Sequence, residues 1–220
     1  MNAKEKGAGK LNVVIFVGPS LDLETARRIL PDATYLPPVK RGDAAAACGN
    51  ADIMVIIDGV FFQDRAVGHR EILGVIKSGV RVFGSSSMGA LRASELDTLG
   101  MTGIGTIYQQ YKSGEIIADD EVGLVYDAET GTALSEPMVN IRASFSKAKA
   151  EGIITKDEET AFLKACKAIY YPDRTYRRVI RNAAISDETK TAIQAWVKEN
   201  AVDQKRLDAI LCLETVRDML

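Results

Sequence analysis

The sequence predicts an α/β fold: a Rossmann-like three-layer domain around a mostly parallel sheet, followed by a helical C-terminal subdomain. Three observations predict it. The runs Leu11–Val17, Ile53–Ile57 and Val80–Phe83 are apolar nearly throughout, as strands covered on both faces are. Between them lie small-residue turns and helix-forming stretches, and that alternation implies right-handed crossovers and parallel pairing. From Glu151 to Leu220 apolar residues recur at helical spacing instead. The expected organisation is a polar tail over 1–10, an α/β core over 11–150 and helices over 151–220.

Taken in order, Leu11–Val17 is the first strand and ends at Gly18-Pro19-Ser20. Asp22 precedes a helix over Leu23–Leu30, which Pro31 stops. Thr34–Leu36 is a short second strand. The double proline Pro37-Pro38 then stiffens a segment carrying Lys40, Arg41 and Asp43. The alanine-rich stretch from Asp43 to Asn50 is a short helix. Ile53–Ile57 is a β-branched strand ending at Asp58-Gly59. A helix follows over Val67–Lys77, with Gly79 as its C-cap.

Val80–Phe83 feeds Gly84-Ser85-Ser86-Ser87-Met88-Gly89, and Ala90–Leu96 is the next helix. The glycine-rich stretch Leu99–Ile107 reads as tight turns, and Ile107–Lys112 as a helix closed by Gly114. Val122–Tyr126 and Thr132–Leu134 form a hairpin. Pro137 opens a helix over Met138–Lys149. Thr155 and Glu158 make a capping box before Phe162, Leu163, Cys166 and Ile169. Tyr176, Val179 and Ile180 mark another helix, Ile193, Trp196 and Val197 another, and Leu207, Ile210, Leu211 and Glu214 the last.

A net charge of -2 gives no cationic field for nucleic acid. The three cysteines, Cys48, Cys166 and Cys212, are far apart and suggest neither a disulfide framework nor a metal site, so a reducing, cytoplasmic setting is expected. His69, the single histidine, excludes a His-rich metal centre. The apolar runs are too short to span a bilayer. The fingerprints GxGxxG and GxxxxGK[ST] are absent, so no nucleotide cofactor is expected.

The three serines carry the chemical signal. A strand-to-helix turn can place a serine hydroxyl beside the free amides of a helix N-terminus, which can hold an oxyanion. The spacing differs from G-x-S-x-G, and serines at such a place are also ordinary helix caps. Parallel strands would bring Ser20, Asp58 and Ser87 to one carboxyl edge, where open α/β sheets build their sites. Asp119-Asp120-Glu121 reads as a helix start or solvated loop, or as a site for Mg²⁺ or a basic partner.

The ordered segments Gly18-Pro19-Ser20, Pro37-Pro38…Gly42-Asp43, Asp58-Gly59, His69–Leu73, Gly84–Ala93, Asp119–Val122 and Met138–Ala143 resemble the TfuA family, from about Leu11 to Gly152. The resemblance implies work beside a YcaO enzyme in peptide backbone thioamidation. The TfuA protein would hydrolyse the C-terminal thiocarboxylate of a ThiS-like sulfur carrier and help the YcaO engage its substrate. That substrate would be methyl-coenzyme M reductase or a natural-product precursor peptide. It also implies a serine–lysine site. Ser87-Met88-Gly89-Ala90 is similar to the nucleophile segment of Clp-type serine peptidases as well, which makes Ser87 the expected nucleophile with Ser86 second. Lys40 is the expected base, from its place in the Pro-Pro…Gly-Asp segment. Relatives often carry lysine where this chain has Arg70, and arginine does not deprotonate. Gly89, Asp58, His69, Arg70 and Arg92 are expected to bind or orient. Two further readings are a non-catalytic adaptor that grips the carrier's terminal carboxylate, and a nucleotide-binding α/β protein.

Overall fold

The computed structural model describes residues 11–61, 65–127 and 132–220. Five parallel strands build one sheet: β1 (Val13–Phe16), β2 (Thr34–Leu36), β3 (Ile53–Ile56), β4 (Arg81–Ser85) and β5 (Met101–Ile104), in the order β2-β1-β3-β4-β5. The register pairs Val14 with Met54 and Met54 with Val82, so successive layers of side chains line up across the sheet.

Side chains alternate faces along a strand, and the burial follows that period of two. Val14, Phe16, Met54, Ile56 and Val82 enter one core, beneath α2 (Asp43–Ala47), α3 (His69–Lys77) and α4 (Met88–Leu96). Val13, Ile15, Val17, Ile53, Val55, Ile57 and Phe83 enter the other, beneath α1 (Leu23–Ile29) and α10 (Gln204–Arg217). This is the three-layer α/β architecture the sequence predicts.

The stretch read as tight turns contains β5. Its short Met-Thr-Gly-Ile run carries little strand signal of its own, and pairing with β4 makes it a strand. Gly103 is needed because the Tyr108 ring of α5 (Thr106–Ser113) lies over it, 2.2 Å from where a Cβ would stand. The expected hairpin over 122–134 is a single bridge, Tyr126 with Ala133; its tip lies outside the described residues.

The helices α6 (Met138–Ala150), α7 (Lys156–Lys167), α8 (Tyr176–Asn182) and α9 (Asp187–Asn200) share a third core around Phe145 and Phe162, stacked at 4.7 Å. The capping box of Thr155 and Glu158 is present. The last helix departs from this cluster. It returns to the sheet and buries Ala209, Cys212, Leu213 and Val216 there, leaving Leu207 and Leu211 about half exposed. The stripe formed by Leu207 and Leu211 is therefore the outer face of α10.

Among the described residues, no helix is long and apolar enough to cross a membrane.

Candidate active site

The parallel sheet brings the ends of β1, β3 and β4 to one edge. Asp58 follows β3 and is buried, and its carboxylate closes the turn after β1. Oδ2 accepts from the amides of Gly18 (2.8 Å) and Ser20 (3.0 Å), and Oδ1 accepts from Ser20 Oγ (2.6 Å). The expected convergence of Ser20 and Asp58 is thus a direct hydrogen bond.

The three serines divide their work. Ser85, at the end of β4, donates to the Ile104 carbonyl at 2.8 Å, with the Asp208 carbonyl at 3.0 Å. Ser86 donates to the Lys205 carbonyl at 2.8 Å. Its φ of 66° makes it the single non-glycine residue in the left-handed region among those described. Such a conformation costs on the order of 1 kcal/mol and persists where the surroundings impose it. The turn it makes delivers Ser87 to the start of α4. Ser87 is 2% exposed and makes no capping hydrogen bond. The ordinary capping role is therefore filled by none of the three.

Gly89 is the second residue of α4, and its amide donates to the Ile57 carbonyl at 3.2 Å. A Cβ there would stand 1.7 Å from the Ile56 carbonyl oxygen. Gly89 lets the helix N-terminus press against the end of β3, and this brings Ser87 beside Asp58.

Ser87 and Asp58 line one small cavity of about 30 Å³, walled by Pro19, Pro38, Gly59, Phe61, Val122, Leu124 and Tyr126. The remaining lining residue is Lys205, at the first turn of α10. Lys205 is 2% exposed and held along its length. Its amide donates to Asn140 Oδ1 (3.1 Å), its carbonyl accepts from Ser86, and its Nζ donates to the Val122 carbonyl (3.0 Å). Nζ also lies 3.9 Å from Asp58 Oδ1. Burial pushes the amine below its ordinary range, while the carboxylates of Asp58, Asp203 and Glu136 pull the other way.

The sequence reading missed Lys205. A signal existed: Lys205, Ala209, Cys212 and Val216 fall on one face of a helix, so a lysine heads an otherwise apolar buried stripe.

The other expected residues lie elsewhere. Lys40 is exposed and lines a neighbouring groove with Asp43 and Val60 that shares Pro38 and Tyr126 with the cavity, and Lys40 does not line the cavity itself. His69 and Arg92 both contact Glu95, at 2.7 and 2.8 Å, and Arg92 also donates to the Val67 carbonyl. They join α3 to α4. Arg70 is exposed on α3.

The acidic run forms a short 3-10 helix in which Asp119 is exposed, Asp120 partly exposed and Glu121 buried. No cluster of three metal-ligating side chains occurs among the described residues. Glu121 is buried and takes Arg142 through both oxygens, at 2.8 and 3.0 Å, and Lys167 at 2.9 Å. Asp120 pairs with the buried Arg174, whose guanidinium also donates to the carbonyls of Asp120, Cys166 and Ile169. The basic partner of this run is internal. The clamp ties the residues before Val122 to α6 and α7, and the Val122 carbonyl receives Lys205.

A larger groove of about 760 Å³ adjoins the cavity and shares Pro19, Pro38 and Tyr126 with it. Its walls include Leu21, Tyr35, Leu36 and Pro37, with Asp22 and Arg206 at one side. A family model described as TfuA-like protein matches residues 58–175, more than half of the chain. No curated protein matches it.

Proposed function

The chain belongs to the TfuA-like family, and from that premise we propose that it hydrolyses the C-terminal thiocarboxylate of a ThiS-like sulfur carrier, supplying sulfide to a YcaO enzyme for backbone thioamidation. The observation that carries this reading is the shared cavity of Ser87 and Lys205 at the carboxyl edge of the sheet. A serine nucleophile needs a base, and a lysine serves as one when burial favours its neutral form. Lys205 meets that condition; the exposed Lys40 does not.

In the proposed chemistry neutral Lys205 takes the proton of Ser87 Oγ, which attacks the thioacid carbon. The carbonyl oxygen gains the negative charge and is stabilised by amides at the start of α4. Lys205 returns that proton to the sulfur as the C–S bond breaks, hydrosulfide leaves, and the carrier is held as a serine ester. Water then gives a proton to the again-neutral Lys205 and attacks the ester, and the lysine passes that proton to the Ser87 oxygen as the carrier's terminal carboxyl group is released. The sum is thiocarboxylate plus water to carboxylate, hydrosulfide and one proton. The adjoining groove would take the extended tail, and the narrow cavity would admit a terminal residue with little or no side chain.

The test is carrier mass against time, with sulfide assayed alongside. A thiocarboxylated ThiS-type protein is incubated with the wild type, Ser87→Ala, Lys205→Met and Lys40→Ala, with and without a YcaO partner. Conversion is expected with wild type and Lys40→Ala, and a loss of roughly 10³-fold or more is expected for the other two, on the order seen when a nucleophile or its base is removed. Carrier binding without conversion under both conditions would instead support the adaptor reading.

A further inference from the structure

We propose that Asp58 is a positioning residue for Lys205, and that the Ser20 hydroxyl sets how much of the Asp58 carboxylate the lysine can use. This rests on the reading of Lys205 as the base. Asp58 closes the turn after β1, a structural task that Oδ2 performs by accepting two backbone amides. Oδ1 does something else. It accepts Ser20 Oγ at 2.6 Å and faces Lys205 Nζ at 3.9 Å, within ion-pair range but beyond a hydrogen bond.

The lysine's own bonding fits this reading. An ammonium offers three donors, and the hydrogen bond that Nζ makes goes to the Val122 carbonyl. A neutral amine is better served by one acceptor than a buried ammonium is. The Ser20 hydroxyl, by occupying Oδ1, keeps the carboxylate from closing on Nζ and fixing the charge there. Two other acidic groups act on Lys205: Asp203 ahead of α10 and Glu136 ahead of α6. Asp203 is engaged with Asn140 and the Arg206 amide. Among the described residues, Asp58 alone forms an ion pair with Nζ.

The two residues therefore have opposite signatures. Asp58→Asn keeps an oxygen for the backbone amides but removes the charge, so the lysine should lose its proton at lower pH. Ser20→Ala frees Oδ1 for Nζ, so the lysine should hold its proton to higher pH. A purely structural Asp58 would lower Tm and rate at every pH without moving either midpoint.

The experiment titrates Lys205 directly by NMR in protein carrying ¹³Cε-lysine, with Lys205→Met to assign the resonance. The pH profile of kcat/KM on a thiocarboxylated carrier is measured beside it. A midpoint lowered by about one pH unit in Asp58→Asn and raised in Ser20→Ala is expected, a tenfold change in neutral fraction for each unit. Unmoved midpoints in folded variants would overturn the proposal. Should Asp58→Asn fail to fold, the milder Ser20→Ala decides alone: a raised midpoint supports the proposal and an unchanged one overturns it. Midpoints that move while the acid limb of kcat/KM stays still would leave the positioning role standing and remove Lys205 as the base.

Discussion

At the scale of single residues, Lys205 holds the sharpest conflict between stability and chemistry. Folding either discharges this amine or buries a charge, and both oppose the folded state at neutral pH. The Val122 carbonyl and the 3.9 Å pair with Asp58 offset part of that cost. Lys205→Met fills the same space without the charge. It is expected to abolish the proposed hydrolysis while leaving Tm unchanged or raised by a few degrees, the pattern of a residue kept for chemistry rather than stability. Thermal unfolding at pH 7 checks this; a clear fall in Tm would mean that the two polar contacts outweigh the burial of the amine. The serines show why neighbours in sequence differ in role. Ser85 and Ser86 commit their hydroxyls to carbonyls of β5 and α10, and only Ser87 faces the cavity. No local property distinguishes the three; the positive φ at Ser86 does, by turning its two neighbours to different sides.

At the scale of elements, the segment before Val122 is a strap fastened by charge. Glu121 and Asp120 meet Arg142, Lys167 and Arg174 from α6, α7 and the loop after α7. Arg174 is 1% exposed, so removing it leaves the Asp120, Cys166 and Ile169 carbonyls without their donor, while the Asp120 carboxylate keeps access to water. Each buried group left unpaired costs about 1–3 kcal/mol, or roughly 3–5 kcal/mol for the set. Arg174→Ala is expected to lower unfolding stability by about that much in chemical denaturation. A loss under about 1 kcal/mol, the range of an exposed pair, would show that water replaces the guanidinium. The same change loosens the Val122 carbonyl, so the proposed hydrolysis should fall further than the folded fraction does. Asn140 acts from the opposite side, holding both Asp203 and the Lys205 amide. The helical cluster thereby grips both ends of the lysine.

At the scale of the whole molecule, α10 closes the sheet's second face and carries a site residue in the same piece of chain. The segment between sheet and helices also carries a pH dependence. Burial, with Asp203 nearby, raises the Glu136 carboxyl from an ordinary 4.5 to about 7. A carboxyl that binds its proton more tightly when folded contributes stability below about pH 4.5 and loses it as pH rises through 7. Glu136→Gln is expected to remove that loss. Its stability relative to wild type should rise between about pH 5 and pH 8 by on the order of 1–2 kcal/mol, after discounting for partial solvent access. Denaturant midpoints at the two pH values measure it; a difference independent of pH would place Glu136 in water.

The strands and the turns that end them were legible from the amino acids alone. β1, β3 and β4 stood out because a run covered on both faces must be apolar throughout, and Ser20, Asp58 and Ser87 were placed at one edge because parallel strands share their direction. The capping box was legible because it is a contact between residues three apart. By contrast, β5, the acidic clamp and the lysine depend on contacts between distant parts of the chain. A four-residue strand holding Gly103 is defined by its neighbour. A carboxylate in a loop takes its meaning from the arginine that reaches it. Lys40 stands out in the sequence because it lies in the Pro-Pro…Gly-Asp segment among the other motifs, whereas Lys205 lies far from all of them. Proximity in the folded chain is a different quantity, and α10 packs its first turn against the serine turn through a contact that no local pattern encodes.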